Sequence, residues 1–214
     1  MRDPESPCEA RKAFFDERAA SWLDTFYRDP VTGAYTLHKD KFERFMSLVE
    51  IREGERVLDV GCGTGVLVPY ILDRVGKQGR VYELDYAPNM IEINRKLHPD
   101  ERIRFLLCDV TEIPLEAEHC DVVLCFACFP HFDDKEKALR SLTRVLKEKG
   151  ILCIVHFDSS EGINDHHRKA GTPVMHDRLP EIDEMKGLFL CAGLEAIRFM
   201  DEPGFYFVSG RKPY

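Results

Sequence analysis

The chain has 214 residues, 44% apolar and 32% charged, with a formal net charge of −8, enough for one α/β domain with a full core. The acidic balance argues against a nucleic-acid partner, and no apolar run is long enough to cross a bilayer. Eight cysteines lie partly in strand-like apolar runs, with no disulfide framework, and the polar first residues lack a signal-peptide core, so a reducing, cytoplasmic setting is expected.

Residues 1–7, with two prolines and three charges, predict disorder. Apolar residues at helical spacing predict one amphipathic helix from Ala10 to Tyr27 and a second, through Phe42, Phe45, Met46 and Val49, ending near Glu53-Gly54. Trp22, Phe26, Tyr27 and Tyr35 are either the core face of this region or a lid over a ligand. Residues 1–53 are expected to form an N-terminal helical cap, and residues 54–214 the main domain.

Beyond the cap, strands near 56–60, 80–84, 102–108, 120–126 and 150–156 alternate with helices near 65–75, 88–97 and 134–147. Such alternation predicts a Rossmann-like doubly wound sheet, mostly parallel, with right-handed crossovers. A polar insertion spans 157–180. A helix from Ile182 to Ala192 and two strands follow, joined by Asp201-Glu202-Pro203-Gly204, a turn short enough to force an antiparallel hairpin at the sheet edge.

The stretch Arg-Val-Leu-Asp-Val-Gly-Cys-Gly-Thr-Gly, residues 56–65, organises the rest. A short buried strand runs into glycines at 61, 63 and 65, which let the backbone turn and approach a ligand closely. A dinucleotide loop wants G-x-G-x-x-G, whereas Val66 stands at the third position. Strand ends at Asp85 and Asp109 add carboxylates, and Cys125-x-x-Cys128, with no second pair, reads as core thiols.

Asp59-Val-Gly-Cys-Gly-Thr-Gly65 resembles the first motif of the class I S-adenosylmethionine-dependent methyltransferases, of the ubiquinone/menaquinone-biosynthesis-like type. Glu83-Leu-Asp85, Tyr86-Ala-Pro-Asn-Met90, Cys108-Asp109-Val110, Cys120 to Cys125, and Val145-Leu-Lys followed by Gly150 are similar to its later motifs, in order, over residues 56–156. The resemblance implies S-adenosylmethionine as cofactor. Asp59 would face the methionyl ammonium and Asp85 the ribose hydroxyls. Asp109 and the backbone of Val110 would read the adenine, with Tyr86 or Met90 on its face. Gly61, Cys62, Gly63, Gly65 and Cys125 complete the expected cofactor-binding set. Local alternatives are a turn cap at Asp59 and an N-cap at Asp109.

Methyl transfer from a sulfonium is an in-line displacement, and a base is needed only when the acceptor carries a proton. The acceptor side is therefore sought among the histidines. His131, His156 and His167 are the candidate catalytic residues, and His156, His166, His167, His176 and Asp177 a candidate set for a divalent metal. Alternatively one histidine is a base held by a carboxylate. Adjacent histidines on a helix face different ways, so at most one of His166 and His167 would point inward. The expected partner is a small-molecule methyl acceptor. A protein or RNA methyltransferase and a non-catalytic metal- or cofactor-binding protein are the competing readings.

Overall fold

The computed structural model describes residues 7–214. The disorder expected for residues 1–6 lies outside the described residues, while Pro7 opens a helix, α1 (Pro7–Arg18). The single helix expected to Tyr27 is in three pieces: α1, a 3-10 turn at Ala19–Ser21 and α2 (Trp22–Phe26). The break lets Ala19 pack with Ala87 and Met90, while Trp22 turns toward the glycine loop. Helix α3 (Lys39–Leu48) stops short of the expected end, because Val49 adopts extended backbone and stays buried there.

Seven strands follow: β1 (Arg56–Val60), β2 (Arg80–Asp85), β3 (Ile103–Leu107), β4 (Cys120–Phe126), β5 (Leu146–His156), β6 (Glu195–Glu202) and β7 (Phe205–Arg211). They form one sheet in the order β3-β2-β1-β4-β5-β7-β6. The first five strands pair in parallel, and β7 runs antiparallel between β5 and β6. This is the expected doubly wound, mostly parallel sheet with an antiparallel edge. Its order reverses between β1 and β4, which opens a crevice at their carboxyl ends.

Strand β1 shows why the core forms on both faces. Val57 packs in one apolar layer and Leu58 and Val60 in the other, all without exposure, as period-two alternation requires. Helices α4 (Val68–Val75), α5 (Pro88–Leu97) and α6 (Lys135–Val145) are the crossovers. Helix α4 starts three residues later than expected, since residues 65–67 belong to the turn that closes the glycine loop. Phe42, Phe45 and Met46 of α3 are buried in the same layer as Val57, Phe126 and Phe207. Residues before β1 thus do two different jobs: α3 builds the core, while α1 and α2 stand over the crevice.

The polar stretch 157–180 contains a helix, α7 (Ser160–Ala170), whose N-cap Ser159 accepts from the Gly162 amide at 3.1 Å. Ser160 is tied to Asp201 at 2.6 Å, so the insertion is pinned to β6. Helix α8 (Ile182–Cys191) then covers the sheet through Met185 and Phe189. No helix of the described residues is long and apolar enough to cross a membrane.

Candidate active site

Three glycines after β1 adopt positive φ values of 62°, 54° and 85°. At Gly61 a Cβ would stand 2.5 Å from the Cβ of Cys128, and at Gly65 it would stand 2.3 Å from Asn94 Oδ1. Both positions therefore exclude any side chain twice over, by backbone conformation and by space. The loop they form edges a cavity of about 350 Å3, closed on its other sides by α1, α2, the β2–α5 junction and the turn after β4.

Gly61, Cys62, Gly63 and Asp85 line this cavity, as do Tyr86, Met90, Asp109 and Val110, all expected from the sequence. Asp85 Oδ2 accepts from the Gly63 amide and Oδ1 from the Ala87 amide, both at 2.9 Å. Asp109 Oδ1 caps a 3-10 turn by accepting from Thr111, so its capping role coexists with a place in the wall. The other three expected residues stand one layer back. Asp59 is buried behind the loop in register with Glu83, Gly65 closes the turn, and Cys125 is fully buried in β4. Cys125 packs in the core, so its expected place in the cofactor wall is corrected. Cys128 does reach the cavity, with its thiol donating to the Val60 carbonyl at 3.0 Å and burial raising its pKa, so it is a neutral wall atom.

Three carboxyls share the space around this loop. Burial pushes Asp85 up to about 6, against the pull of its amide donors, and Glu83 up to about 7. Asp59 is raised by burial and then by Glu83. Crowded, desolvated acids favour a bound cation. Two hydroxyls, Thr64 Oγ1 and Tyr86 Oη, are buried at the cavity wall with no hydrogen-bond partner among the described residues, which suits them to a polar ligand. A sulfonium nucleoside with hydroxyls and an amine fits this donor set.

Of the expected histidines only His131 lines the cavity, with His156 and His167 packed behind it. His131, in the turn after β4, lines the cavity, and its Nδ1 lies 2.6 Å from Asp177 Oδ2. His167 Nδ1 meets the Asp177 carbonyl oxygen at 2.8 Å, with its ring centroid 5.0 Å from that of His131. His156, only 2% exposed at the end of β5, has no partner for Nε2 among the described residues, and burial followed by the two neighbouring histidines lowers its pKa to about 3. His166 and His176 are exposed. Helical geometry turns His166 outward when His167 faces in, and the five proposed ligands therefore do not converge. Among the described residues no three His, Cys, Asp or Glu side chains are arranged to hold a metal ion.

Sequence reasoning missed Arg11. It is 6% exposed and lies in α1 three residues after Cys8 and four before Phe15, both cavity residues. An arginine on an apolar helical stripe was the available signal. Trp22 and Tyr27 line the cavity, while Phe26 and Tyr35 are exposed, so the aromatic group divides between wall and surface.

Residues 58–154 match the family model described as a methyltransferase domain. A Vibrio campbellii protein named ubiquinone/menaquinone biosynthesis C-methyltransferase UbiE is 33% identical over 138 residues, 63% of this chain and 52% of its own length. Residues 58–154 thus carry a methyltransferase domain of the class I S-adenosylmethionine-dependent type. The chain spans about half the length of the curated relatives it matches. Solved methyltransferase-like folds extend the likeness across the whole chain. A chain of the complex between the Haloferax volcanii Trm112 methyltransferase activator and a methyltransferase superposes with a TM-score of 0.77 at 20% identity, covering 94% of this chain and 98% of that one. The [4+2]-cyclase SpnF follows at 0.75 and 14% identity, covering 97% and 96%. These two likenesses are of fold, and a cyclase among them shows that one fold hosts more than one chemistry.

Proposed function

We propose that this protein transfers a methyl group from S-adenosylmethionine to a small-molecule acceptor that must lose a proton, with His131 as general base. The observation that carries the reading is the His131–Asp177 pair at the wall of the cavity that the glycine loop edges. S-adenosylmethionine, when bound, supplies an electrophilic methyl on a sulfonium and departs as a neutral thioether.

The protein's own residues account for the rest. In this reading Asp85 takes the ribose hydroxyls and Asp109 and Val110 the adenine, while Asp59 and Glu83, raised by burial, ionise more readily beside a bound cation. Phe15, Trp22 and Tyr27 line the cavity with apolar surface that excludes water from the reacting centre. With Nδ1–H donated to Asp177, the imidazole of His131 keeps Nε2 as its basic nitrogen. Burial lowers the His131 pKa and outweighs the opposing pull of Asp177, so the ring is neutral near pH 7 and able to accept a proton. As an electron pair of the acceptor (a lone pair on oxygen, or for carbon the pair of its π or C–H bond) forms the new bond to the methyl carbon, the acceptor's proton passes to Nε2 and the carbon–sulfur bond breaks toward sulfur. A phenol, enol or acidic carbon fits this requirement; the likeness to proteins named ubiquinone/menaquinone biosynthesis C-methyltransferase supports a small acceptor of that kind.

The test combines titration calorimetry with S-adenosylmethionine and NAD, and methyl-release assays on phenols, amines and thiols. Binding of S-adenosylmethionine alone, with turnover on phenols that His131→Ala removes, is the expected result. Tight NAD binding, or methylation only when protein or RNA is added, would overturn it.

A further inference from the structure

Arg11 is the point where three separate segments meet. Its Nη2 lies 2.8 Å from Asp177 Oδ1, and its Nη1 lies 2.8 Å from Asp133 Oδ1. Nη1 also donates to the His131 carbonyl oxygen at 3.2 Å. The guanidinium therefore holds the far oxygen of the carboxylate whose near oxygen holds the His131 ring. It also holds the backbone of the same histidine.

We propose that Arg11 is a positioning residue for the His131–Asp177 pair, so that seating of α1 over the cavity assembles the base. This rests on the reading of His131 as base. A planar fork that grips a carboxylate and a carbonyl fixes orientation in a way that a single ammonium cannot. Helix α1 has a second anchor at the N-terminus of α5, where Asp16 Oδ1 accepts from the Asn89 amide at 2.6 Å. Displacing α1 would remove Cys8, Arg11 and Phe15 from the cavity wall and release the Asp177 carboxylate from Arg11, leaving it on His131. The acceptor is then activated only under a closed wall, where an activated donor is shielded from water.

Arg11 also sets the charge balance at the base. The groups facing His131 are Asp177, Arg11 of α1, Lys135 of α6, His167 of α7 and His156 of β5. Asp177 favours the imidazolium, while Arg11 and Lys135 disfavour it. Removing the Arg11 charge leaves Asp177 less compensated, so His131 should bind its proton more tightly.

The experiment is a histidine NMR titration of the full chain with S-adenosylhomocysteine bound, in the parent, Arg11→Gln, Arg11→Lys and Asp133→Asn. Arg11→Gln should raise the His131 midpoint by about one unit. Arg11→Lys should restore the midpoint but not the full turnover, because the charge returns without the fork. Asp133→Asn, at a half-exposed partner of the guanidinium, should move the midpoint the other way, by about half a unit or less. If Arg11→Gln does not fold, the opposite shift in Asp133→Asn together with the split in Arg11→Lys still decides the matter. An unmoved midpoint in Arg11→Gln or in Asp133→Asn, or full turnover in Arg11→Lys, overturns the assignment. His131→Asn retaining full turnover on phenols would instead overturn the base reading beneath it.

Discussion

The two walls of the cavity are built in opposite ways. The donor wall is local: each of its parts sits at the end of a parallel strand, and the glycine loop places its own backbone by conformations that only glycine takes easily. The acceptor wall is assembled from distant pieces. Arg11 reaches a carbonyl 120 residues away, and His131 meets Asp177 at a separation of 46. Strand ends deliver the expected donor site as a consequence of topology, whereas the His131–Asp177 pair proposed as the base is held where an N-terminal helix, a turn and an insertion meet. The difference explains how one sheet can keep a constant donor and vary its acceptor.

The sharpest way to break this division is to damage one wall and read the other. His131→Ala should lower methyl transfer by about 10²–10⁴-fold, while donor affinity by calorimetry stays within about twofold. Asp85→Asn should do the reverse, weakening the donor by about 10–100-fold, as expected for losing charged hydrogen-bond partners, and leaving the His131 titration in place. Equal loss of both properties in either variant would merge the walls into one cooperative site.

A smaller effect lies under the donor wall. The Glu83 carboxyl is raised from 4.5 to about 7, chiefly by burial, so the folded protein holds a proton that the unfolded chain releases. The stability this contributes is fully present below about pH 4.5 and is lost as pH rises through about 7. His156, lowered to about 3, acts in the opposite sense as pH falls below about 6.5. Comparing Glu83→Gln with the parent at each pH isolates the acid: the gap in melting temperature should widen in the variant's favour as pH rises, and donor binding should narrow it. A gap independent of pH would contradict the buried-acid account. The smallest effect is expected at His166 and His176, whose side chains are exposed. Replacing either by alanine should leave turnover and stability unchanged within error, and a loss of either property would restore them to the site.

Much of this was legible in the sequence because the donor wall is periodic and local. Val57, Leu58 and Val60 announce a strand, Gly61 to Gly65 a ligand loop, and Asp85 and Asp109 the strand ends that meet it. The boundaries slipped where tertiary packing overrode local pattern: at Ala19, drawn in against Met90, and at Gly65 to Leu67, taken by the turn. Cys125 was misplaced because both faces of β4 are buried in core, and this strand reaches the cavity only at its last residue, Phe126. The acceptor wall was legible only as an inventory of histidines. Which of them face inward depends on α7, hidden in a polar stretch, and on Arg11, whose partners no spacing rule connects to it.

The account's central claim is that the two walls face each other across the reacting centre. A crystal structure with S-adenosylhomocysteine bound tests this without any knowledge of the acceptor. The account predicts ribose hydroxyls on Asp85, adenine beside Asp109 and Val110, and the thioether sulfur directed toward Nε2 of His131. A sulfur turned away from His131, or adenine packed against that ring, would contradict it.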